Sequence, residues 1–187
     1  MRDMRNFDLV IWDWNGTLLD DTETCFHIAN EMRKDRGMEP LESIDAYRSV
    51  FRFPVVEYYK NMGYTFEVEP FEDVSREFVA IYAERFTSCP LQPCAKEVLG
   101  AVRSSGAMQV LLSATGQDKL DEQVEHFSLG SYFDRVIGNR NNLAHGKADY
   151  ARDFLNSSGV SPQRTLFIGD TDHDFEIALS IGANCAL

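Results

Sequence analysis

Side chains that could bind a metal ion are concentrated in two short polar segments near opposite ends of the sequence. The first segment, DWNGTLLD, begins at Asp13, and the second, GDTDHD, contains Asp170 and Asp174. Carboxylates that share one small volume repel one another strongly unless a cation lies among them. An all-oxygen ligand set of this kind suits Mg²⁺, which also favours a substrate phosphate as a further ligand. The sequence therefore predicts a Mg²⁺ site that can take a phosphorylated substrate.

Groups that could bind the phosphate itself lie within and between these segments. Gly16, Thr17, Ser113 and the neighbouring backbone N–H groups could hold phosphate oxygens. Lys147 follows Gly146 and stands ahead of a helical pattern over residues 148–156, and it would balance the negative charge of the phosphate. A carboxylate can itself attack phosphorus, and the product is an aspartyl-phosphate intermediate. Together these residue types permit phosphate-ester chemistry.

Strands must position the polar segments, because Asp13, Ser113 and Asp170 each come at or near the end of a short apolar run. Such runs lack a helical period and are typical of buried strands; they cover residues 7–12, 108–112, 135–138 and 165–168, and residues 183–187 resemble the start of a fifth strand. Strands that alternate with helical patterns predict an α/β fold: a Rossmann-like, mostly parallel sheet with helices on both faces. Ligands bind beyond the carboxyl ends of such strands, so we expect the polar segments to meet there.

Residues 21–87 interrupt this alternation with four consecutive helical patterns. Pro54 and Pro70 open the third and fourth patterns, and proline is favoured at the start of a helix. The apolar stripe of the first pattern consists of Cys25, Ile28, Ala29 and Met32. We therefore predict two domains: a Rossmann-like core of residues 1–20 and 88–187, and an inserted α-helical subdomain of residues 21–87.

The composition restricts the partners that this chain can bind. Its 187 residues include 18 Lys and Arg against 30 Asp and Glu, and the net charge is −12. A chain this acidic has no evident basic face for nucleic acid, and an anionic membrane surface would repel it. No stretch approaches the ~18 apolar residues of a membrane span, and the first apolar run is too short for a signal peptide. We expect a cytoplasmic protein whose partner is a small phosphorylated metabolite; its oligomeric state is unknown from the sequence.

Taken in order, these segments resemble the motifs of the haloacid dehalogenase-like (HAD) hydrolase superfamily. DWNGTLLD is similar to the first motif, Ser113 after VLL to the second, Lys147 to the third, and GDTDHD to the fourth. The helical insert lies where the family has its type 1 cap, and the run FRFPVVEYYKNMGY is similar to the phosphoglycolate-phosphatase-like branch. The resemblance implies a Mg²⁺-dependent phosphatase that hydrolyses a small phosphate monoester, of the phosphoglycolate type, through an aspartyl-phosphate intermediate.

The resemblance also implies roles for individual residues. Asp13 would be the nucleophile, with Asn15 and Lys147 as the other catalytic residues. The metal ligands would be Asp13, the backbone carbonyl of Asn15, Asp170, and Asp174 directly or through water. The substrate would be bound by Gly16, Thr17, Ser113, Ala114 and Lys147. The cap would close over the site, exclude water and select the leaving group.

Asn15 departs from the family pattern, because phosphatases of this family carry Asp two residues after the nucleophile. That Asp acts as general acid and then as general base, and an amide can do neither. The loss of a general acid–base group typically lowers a rate ~10²–10⁴-fold, or about 3–5 kcal/mol. The metal ligands, the nucleophile and the phosphate-binding groups would remain, and these groups would permit slow turnover.

Asn15 leaves three hypotheses open. In the first, the protein is a phosphatase in which another group assists, and His173 and His145 are the nearby titratable candidates. In the second, it hydrolyses a C–P bond of the phosphonoacetaldehyde type, with a cap lysine (Lys34 or Lys60) as the Schiff base. In the third, it is a catalytically impaired phosphate-binding protein.

Overall fold

The chain folds into two compact units, each with its own apolar core. The computed structural model describes residues 7–140 and 146–187. The core unit consists of Met1–Asp20 and Pro90–Leu187, and the helical unit consists of Asp21–Cys89. The interpretation of the helical unit as a cap stays a prediction.

The described part of the chain contains five strands and eight α-helices. The strands are β1 (Leu9–Trp12), β2 (Met108–Gly116), β3 (Arg135–Asn139), β4 (Thr165–Ile168) and β5 (Asn184–Ala186). The helices are α1 (Thr22–Asp35), α2 (Ile44–Val50), α3 (Val55–Asn61), α4 (Phe71–Arg85), α5 (Ala95–Ser105), α6 (Gln117–His126), α7 (Lys147–Ser158) and α8 (Asp172–Ser180).

The core unit is built on a parallel sheet with the strand order β3-β2-β1-β4-β5. Strand β1 is central, and Leu9 pairs with Met108 of β2 on one side and Thr165 of β4 on the other. All four residues of β1 are buried. A strand that is covered on both faces reads as a continuous apolar run, which is why β1 was recognisable in the sequence.

Helices cover both faces of this sheet. On one face, α7 and α8 pack against alternate strand residues in a core of Leu9, Ile11, Val110, Leu112, Ala151, Leu155, Phe167, Ile177, Ala178 and Ile181. On the other face, the buried Gln109 side chain accepts a hydrogen bond from the Trp12 indole (3.0 Å) and donates one to the Leu99 carbonyl in α5 (3.1 Å). The predicted Rossmann-like α/β fold is confirmed.

The helical unit contains α1 to α4 around an aromatic-rich core. Ile28, Ala29 and Met32, which form the apolar stripe of α1, are buried together with Tyr58 and Tyr59 of α3. The loop after α1 is held by Arg36, which donates hydrogen bonds to the carboxylates of Glu69 (2.7 Å) and Glu77 (2.5 Å). Among the described residues, no helix is long and apolar enough to cross a membrane.

The structure corrects three details of the sequence-based prediction. Helix α5 was not predicted, although Leu99 and Val102 form its buried stripe and Gly106, with φ of 84°, ends it. Strand β2 continues to Gly116, so Ser113 and Ala114 lie inside the strand rather than after it. Lys147 is the first residue of α7 rather than a residue ahead of the helix.

Candidate active site

The segments that follow β1 and β4 are joined directly at the carboxyl edge of the sheet. The Asp13 backbone N–H donates to the Ile168 carbonyl (2.8 Å), so strand pairing extends one residue past β1. On the next strand, the Gly169 N–H donates to the Ala186 carbonyl (3.2 Å). Because parallel strands end at the same edge, these bonds bring the DWNGT and GDTDHD segments together.

The turn after β1 needs glycine at position 16. Gly16 has φ of +79°, and a Cβ atom there would lie 2.2 Å from Oδ2 of Asp170. The turn is held by the Gly16 N–H, which donates to the Leu19 carbonyl (2.9 Å), and by the Gln92 side-chain amide, which donates to the Gly16 carbonyl (3.0 Å). Glycine therefore supplies both the left-handed backbone and the space that this close approach requires.

Three carboxylates form a cluster that could hold a metal ion. Oxygens of Asp13, Asp170 and Asp174 all lie within 4.8 Å of one another. The Thr17 hydroxyl donates to Asp13 Oδ2 (3.0 Å) and lies 3.3 Å from Asp170 Oδ1. The Thr171 hydroxyl donates to Asp174 Oδ2 (2.7 Å) and fixes that carboxylate at the start of α8. This all-oxygen donor set fits Mg²⁺.

Lys147 extends into the same cluster from the first turn of α7. Its ammonium donates to Asp13 Oδ1 and to Asp174 Oδ1, the latter at 2.7 Å, and its side chain is 8% exposed. Three carboxylates and one ammonium leave a formal charge of −2. A divalent cation would neutralise that charge, so electrostatics and the ligand set point to the same kind of ion.

Burial and mutual repulsion perturb the acids of the cluster. Burial raises the pKa of Asp13, although Lys147 opposes the shift. Asp170 is partly exposed as a residue, but the protein that surrounds its carboxylate, followed by the charges of Asp13 and Asp174, raises the pKa of Asp170 to about 7. Burial alone would lower the pKa of Lys147, but the two carboxylates that it contacts raise it. Perturbed acids gathered at one sheet edge are typical of functional sites.

The Asn15 side chain is held by hydroxyl groups of β2. Its Oδ1 accepts a hydrogen bond from the Thr115 hydroxyl (3.0 Å) and lies 3.5 Å from the Ser113 hydroxyl. Sequence reasoning selected Ser113 but missed Thr115, two residues further along the same strand. The available signal was its hydroxyl, two residues after Ser113 in the polar segment that follows the apolar run.

Three predicted site residues remain: Ala114, His173 and His145. Ala114 is exposed, and its methyl side chain has no hydrogen-bonding group. Its backbone N–H is therefore the group that could serve a phosphate. His173 is the second residue of α8, with Nδ1 at 3.6 Å from the Glu176 carboxylate. His145 lies outside the described residues.

Fold and site together define a class: α/β proteins with a Rossmann-like core and an acidic cluster at the carboxyl edge of the parallel sheet. The family model of the haloacid dehalogenase-like hydrolases matches residues 10–187. The chain belongs to this hydrolase family, as its motifs predicted.

Curated relatives and solved structures agree with this assignment. The chain is 24% identical over 185 residues to a phosphoglycolate phosphatase from Pseudomonas putida, covering 95% of this chain and 67% of that protein. It is 22% identical over 175 residues to a phosphoglycolate phosphatase from Synechococcus elongatus (92% and 79% covered). A haloacid dehalogenase-like hydrolase from Streptococcus pneumoniae superposes with a TM-score of 0.80 at 18% identity (96% and 83% covered). A protein described as a predicted phosphoglycolate phosphatase from Haemophilus somnus gives 0.78 at 19% identity (96% and 84% covered).

Proposed function

We propose that this protein is a Mg²⁺-dependent phosphatase that hydrolyses a small phosphate monoester through an aspartyl-phosphate formed on Asp13. The observation that carries the proposal is the cluster of Asp13, Asp170, Asp174 and Lys147 at the carboxyl edge of the sheet. Phosphoglycolate is the first substrate to test, because relatives that cover most of the chain are phosphoglycolate phosphatases.

Asp13 is suited to act as the nucleophile because both of its oxygens are oriented. Lys147 donates to Oδ1 and Thr17 donates to Oδ2, so the carboxylate cannot rotate freely. The pKa of Asp13 is raised by burial, and Lys147 opposes that rise, which favours the ionised carboxylate that can attack phosphorus. The same ammonium can then offset the charge of the incoming phosphoryl group.

Mg²⁺ would be held by Asp13, Asp170 and the Asn15 backbone carbonyl, and when bound it would neutralise charge on the transferring phosphoryl group. Both oxygens of Asp174 already accept hydrogen bonds, from Lys147 (2.7 Å) and Thr171 (2.7 Å). Asp174 would help to hold the metal, directly or through a bridging water. The substrate phosphate would bind to Thr17, Ser113, Lys147 and the backbone N–H groups of Gly16 and Ala114.

The helical unit, Asp21–Cys89, is proposed as a cap that excludes water and selects the leaving group. The substrate is accordingly a small phosphorylated metabolite, and the cytoplasm is the proposed location.

Asn15 favours a second candidate, a phosphate-binding protein with little turnover. An amide can donate a hydrogen bond to a leaving oxygen, but it cannot transfer a proton to it or activate water. C–P hydrolysis has less support, since Lys60 is an exposed residue of α3 paired with Glu57 (2.8 Å) and Lys34 is exposed on α1. Borohydride trapping with phosphonoacetaldehyde should therefore yield no lysine adduct.

The deciding experiment measures phosphate release from a panel of phosphate monoesters that includes phosphoglycolate. Native protein, Asp13→Ala and Asn15→Asp are compared in Mg²⁺ and in EDTA. A phosphatase is expected to show slow, Mg²⁺-dependent release that Asp13→Ala abolishes and Asn15→Asp accelerates. Silence of the native protein with activity in Asn15→Asp would support the phosphate-binding candidate. Full activity of Asp13→Ala would contradict the covalent step.

A further inference from the structure

We propose that Trp14 is a positioning residue: its buried indole, bonded to Gln123 of α6, fixes the turn that follows Asp13 and thereby the affinity of the acidic cluster for Mg²⁺. The inference rests on the proposed function and deepens it. It assigns the orientation of the Asp13 carboxylate to a contact that lies outside the cluster.

Trp14 lies where the pairing of β1 with its neighbours has ended. The ladders to β2 and to β4 both end at Trp12. The Trp14 carbonyl accepts hydrogen bonds from the backbone N–H groups of Leu18 (2.9 Å) and Leu19 (3.0 Å), and these two bonds close the turn. Because Trp14 directly follows Asp13, a displacement of the Trp14 backbone would also displace the Asp13 carboxylate.

The Trp14 side chain is anchored at α6 by one directional bond. Its indole Nε1–H donates to Gln123 Oε1 (2.6 Å), and the two residues are 0% and 2% exposed. An indole N–H can only donate, so its acceptor must be the amide oxygen of Gln123. The Phe127 ring contacts the indole edge-on, with 5.9 Å between the ring centres. The donor, the acceptor and the direction of the bond are therefore all defined.

The bond between Trp14 and Gln123 acts on orientation more than on stability. Both groups are bonded to water in the unfolded chain, so the buried bond adds little net stability, whereas an unpaired buried partner is costly. An indole that slides or rotates would leave both groups unpaired. The pair therefore selects one position of the Trp14 side chain, which two apolar side chains of the same size would not do.

The anchored turn bears on the Asp13 carboxylate. Burial raises the pKa of Asp13, and the Trp14 backbone N–H is among the groups that lower it, so this N–H faces the carboxylate. The Thr17 hydroxyl, from the same turn, donates to Asp13 Oδ2 (3.0 Å). Removal of a residue that orients a metal ligand typically lowers metal affinity 10- to 100-fold. Trp14 acts through the turn, so we expect a loss of about 10-fold, at the lower end of that range.

Trp14→Phe tests the inference, because phenylalanine keeps an aromatic ring and removes the indole N–H. Trp12→Phe is the matched control: Trp12 is 4% exposed and donates to the amide oxygen of the buried Gln109 (3.0 Å), but two neighbouring strands hold its backbone. The double variant Trp14→Phe/Gln123→Met removes both polar groups, and the flexible methionine fills space. It should therefore regain part of the Tm that Trp14→Phe loses.

The first readout is hydrogen exchange of the Leu18 and Leu19 amides in the metal-free protein, measured relative to the amides of β4. Exchange should be faster than in the native protein for Trp14→Phe and for the double variant, but not for Trp12→Phe. Native exchange in Trp14→Phe would overturn the inference. So would a return to native exchange in the double variant together with its Tm, because the effect would then be one of stability.

The second readout is the Kd of Mg²⁺, measured by calorimetry with MgCl₂, and Asp13→Ala should abolish this binding. Trp14→Phe and the double variant should bind about 10-fold more weakly than the native protein, and Trp12→Phe should bind as the native protein does. Equal weakening in Trp14→Phe and Trp12→Phe, or native affinity in the double variant, would contradict the assignment. If the native protein binds no Mg²⁺, the proposed function fails, and hydrogen exchange still decides whether Trp14 holds the turn.

Discussion

Replacement of Lys147 by Met (K147M) tests whether one buried ammonium holds the acidic cluster together. Lys147 is 8% exposed and bonds to Asp13 and Asp174. Met preserves most of the apolar stem but carries no charge, and it removes the ammonium that lies 5.5 Å from the centre of the Phe167 ring. Removal of one partner of a buried ion pair typically lowers the free energy of unfolding by about 3–5 kcal/mol. For a chain of 187 residues, the metal-free Tm should fall by about 6–20 °C.

Mg²⁺ should restore much of that loss, because a divalent cation can replace the missing positive charge. A ligand at 100 times its Kd adds ~2.7 kcal/mol to the free energy of unfolding. The assay is thermal unfolding in EDTA and across a MgCl₂ titration. Lys60→Met is the matched control, since Lys60 is an exposed helical lysine paired with Glu57, and such a pair contributes about 0–1 kcal/mol.

Two results would refute this reasoning. If K147M melted within ~2 °C of the native protein in EDTA, the buried ion pair would not oppose carboxylate repulsion as argued. If added Mg²⁺ raised the Tm of the Lys60→Met and K147M proteins equally, the ion would not substitute for the ammonium. At acidic pH, the difference in Tm between K147M and the native protein should be smaller, because protonation of Asp13 then relieves the repulsion between the carboxylates.

Three further predictions concern single residues of the core unit. The pKa of Asp170 is raised to about 7, so the carboxyl of the folded metal-free protein keeps its proton at pH values where the unfolded chain has lost it. The stability of the metal-free protein should therefore fall as pH rises toward and through 7. Asp170→Asn should remove this dependence when the Tm is measured against pH. Gly16→Ala should weaken Mg²⁺ binding in calorimetry and lower stability by about 1–3 kcal/mol, because of its φ of +79° and the approach to Asp170. Burial would raise the pKa of Asp134, but hydrogen bonds from the Gln109 N–H (2.8 Å) and from Arg103 (2.7 Å) lower it. Asp134→Ala should therefore lower the free energy of unfolding by about 1–3 kcal/mol in urea unfolding. This loss should shrink as the pH falls below the Asp134 pKa, because the native carboxylate is then protonated.

The parallel sheet was predictable because its signal is local. Each strand of the core is a short apolar run, and the predicted and observed bounds of β4 are identical. Helix α5 escaped prediction because its start carries no usual capping signal. The residue before it is Cys94 in a left-handed conformation, and no side-chain hydrogen bond caps the helix.

The acidic cluster was predictable for a different reason: strand order alone brings Asp13, Asp170 and Asp174 to one edge. The contacts that orient the site were not predictable in the same way. Thr115 meets Asn15 across 100 positions of sequence, and Gln92 meets Gly16 across 76. Both depend on the exact extent of a strand or the return path of a loop, which periodicity does not resolve.

An amide and a carboxylate at position 15 would have opposite effects on the charge of this site and on its ability to transfer a proton. The cluster already carries a formal charge of −2 around Lys147, and Asn15→Asp would add another negative charge to the same turn. The hydroxyls of Ser113 and Thr115 could donate to a carboxylate as readily as to the amide oxygen, so the hydrogen bonds would survive the substitution. The electrostatic repulsion would increase, and a bound cation would offset it. The native amide thus lowers repulsion in the metal-free protein and sacrifices proton transfer, so any gain in turnover from Asn15→Asp should come with a steeper dependence of stability on Mg²⁺.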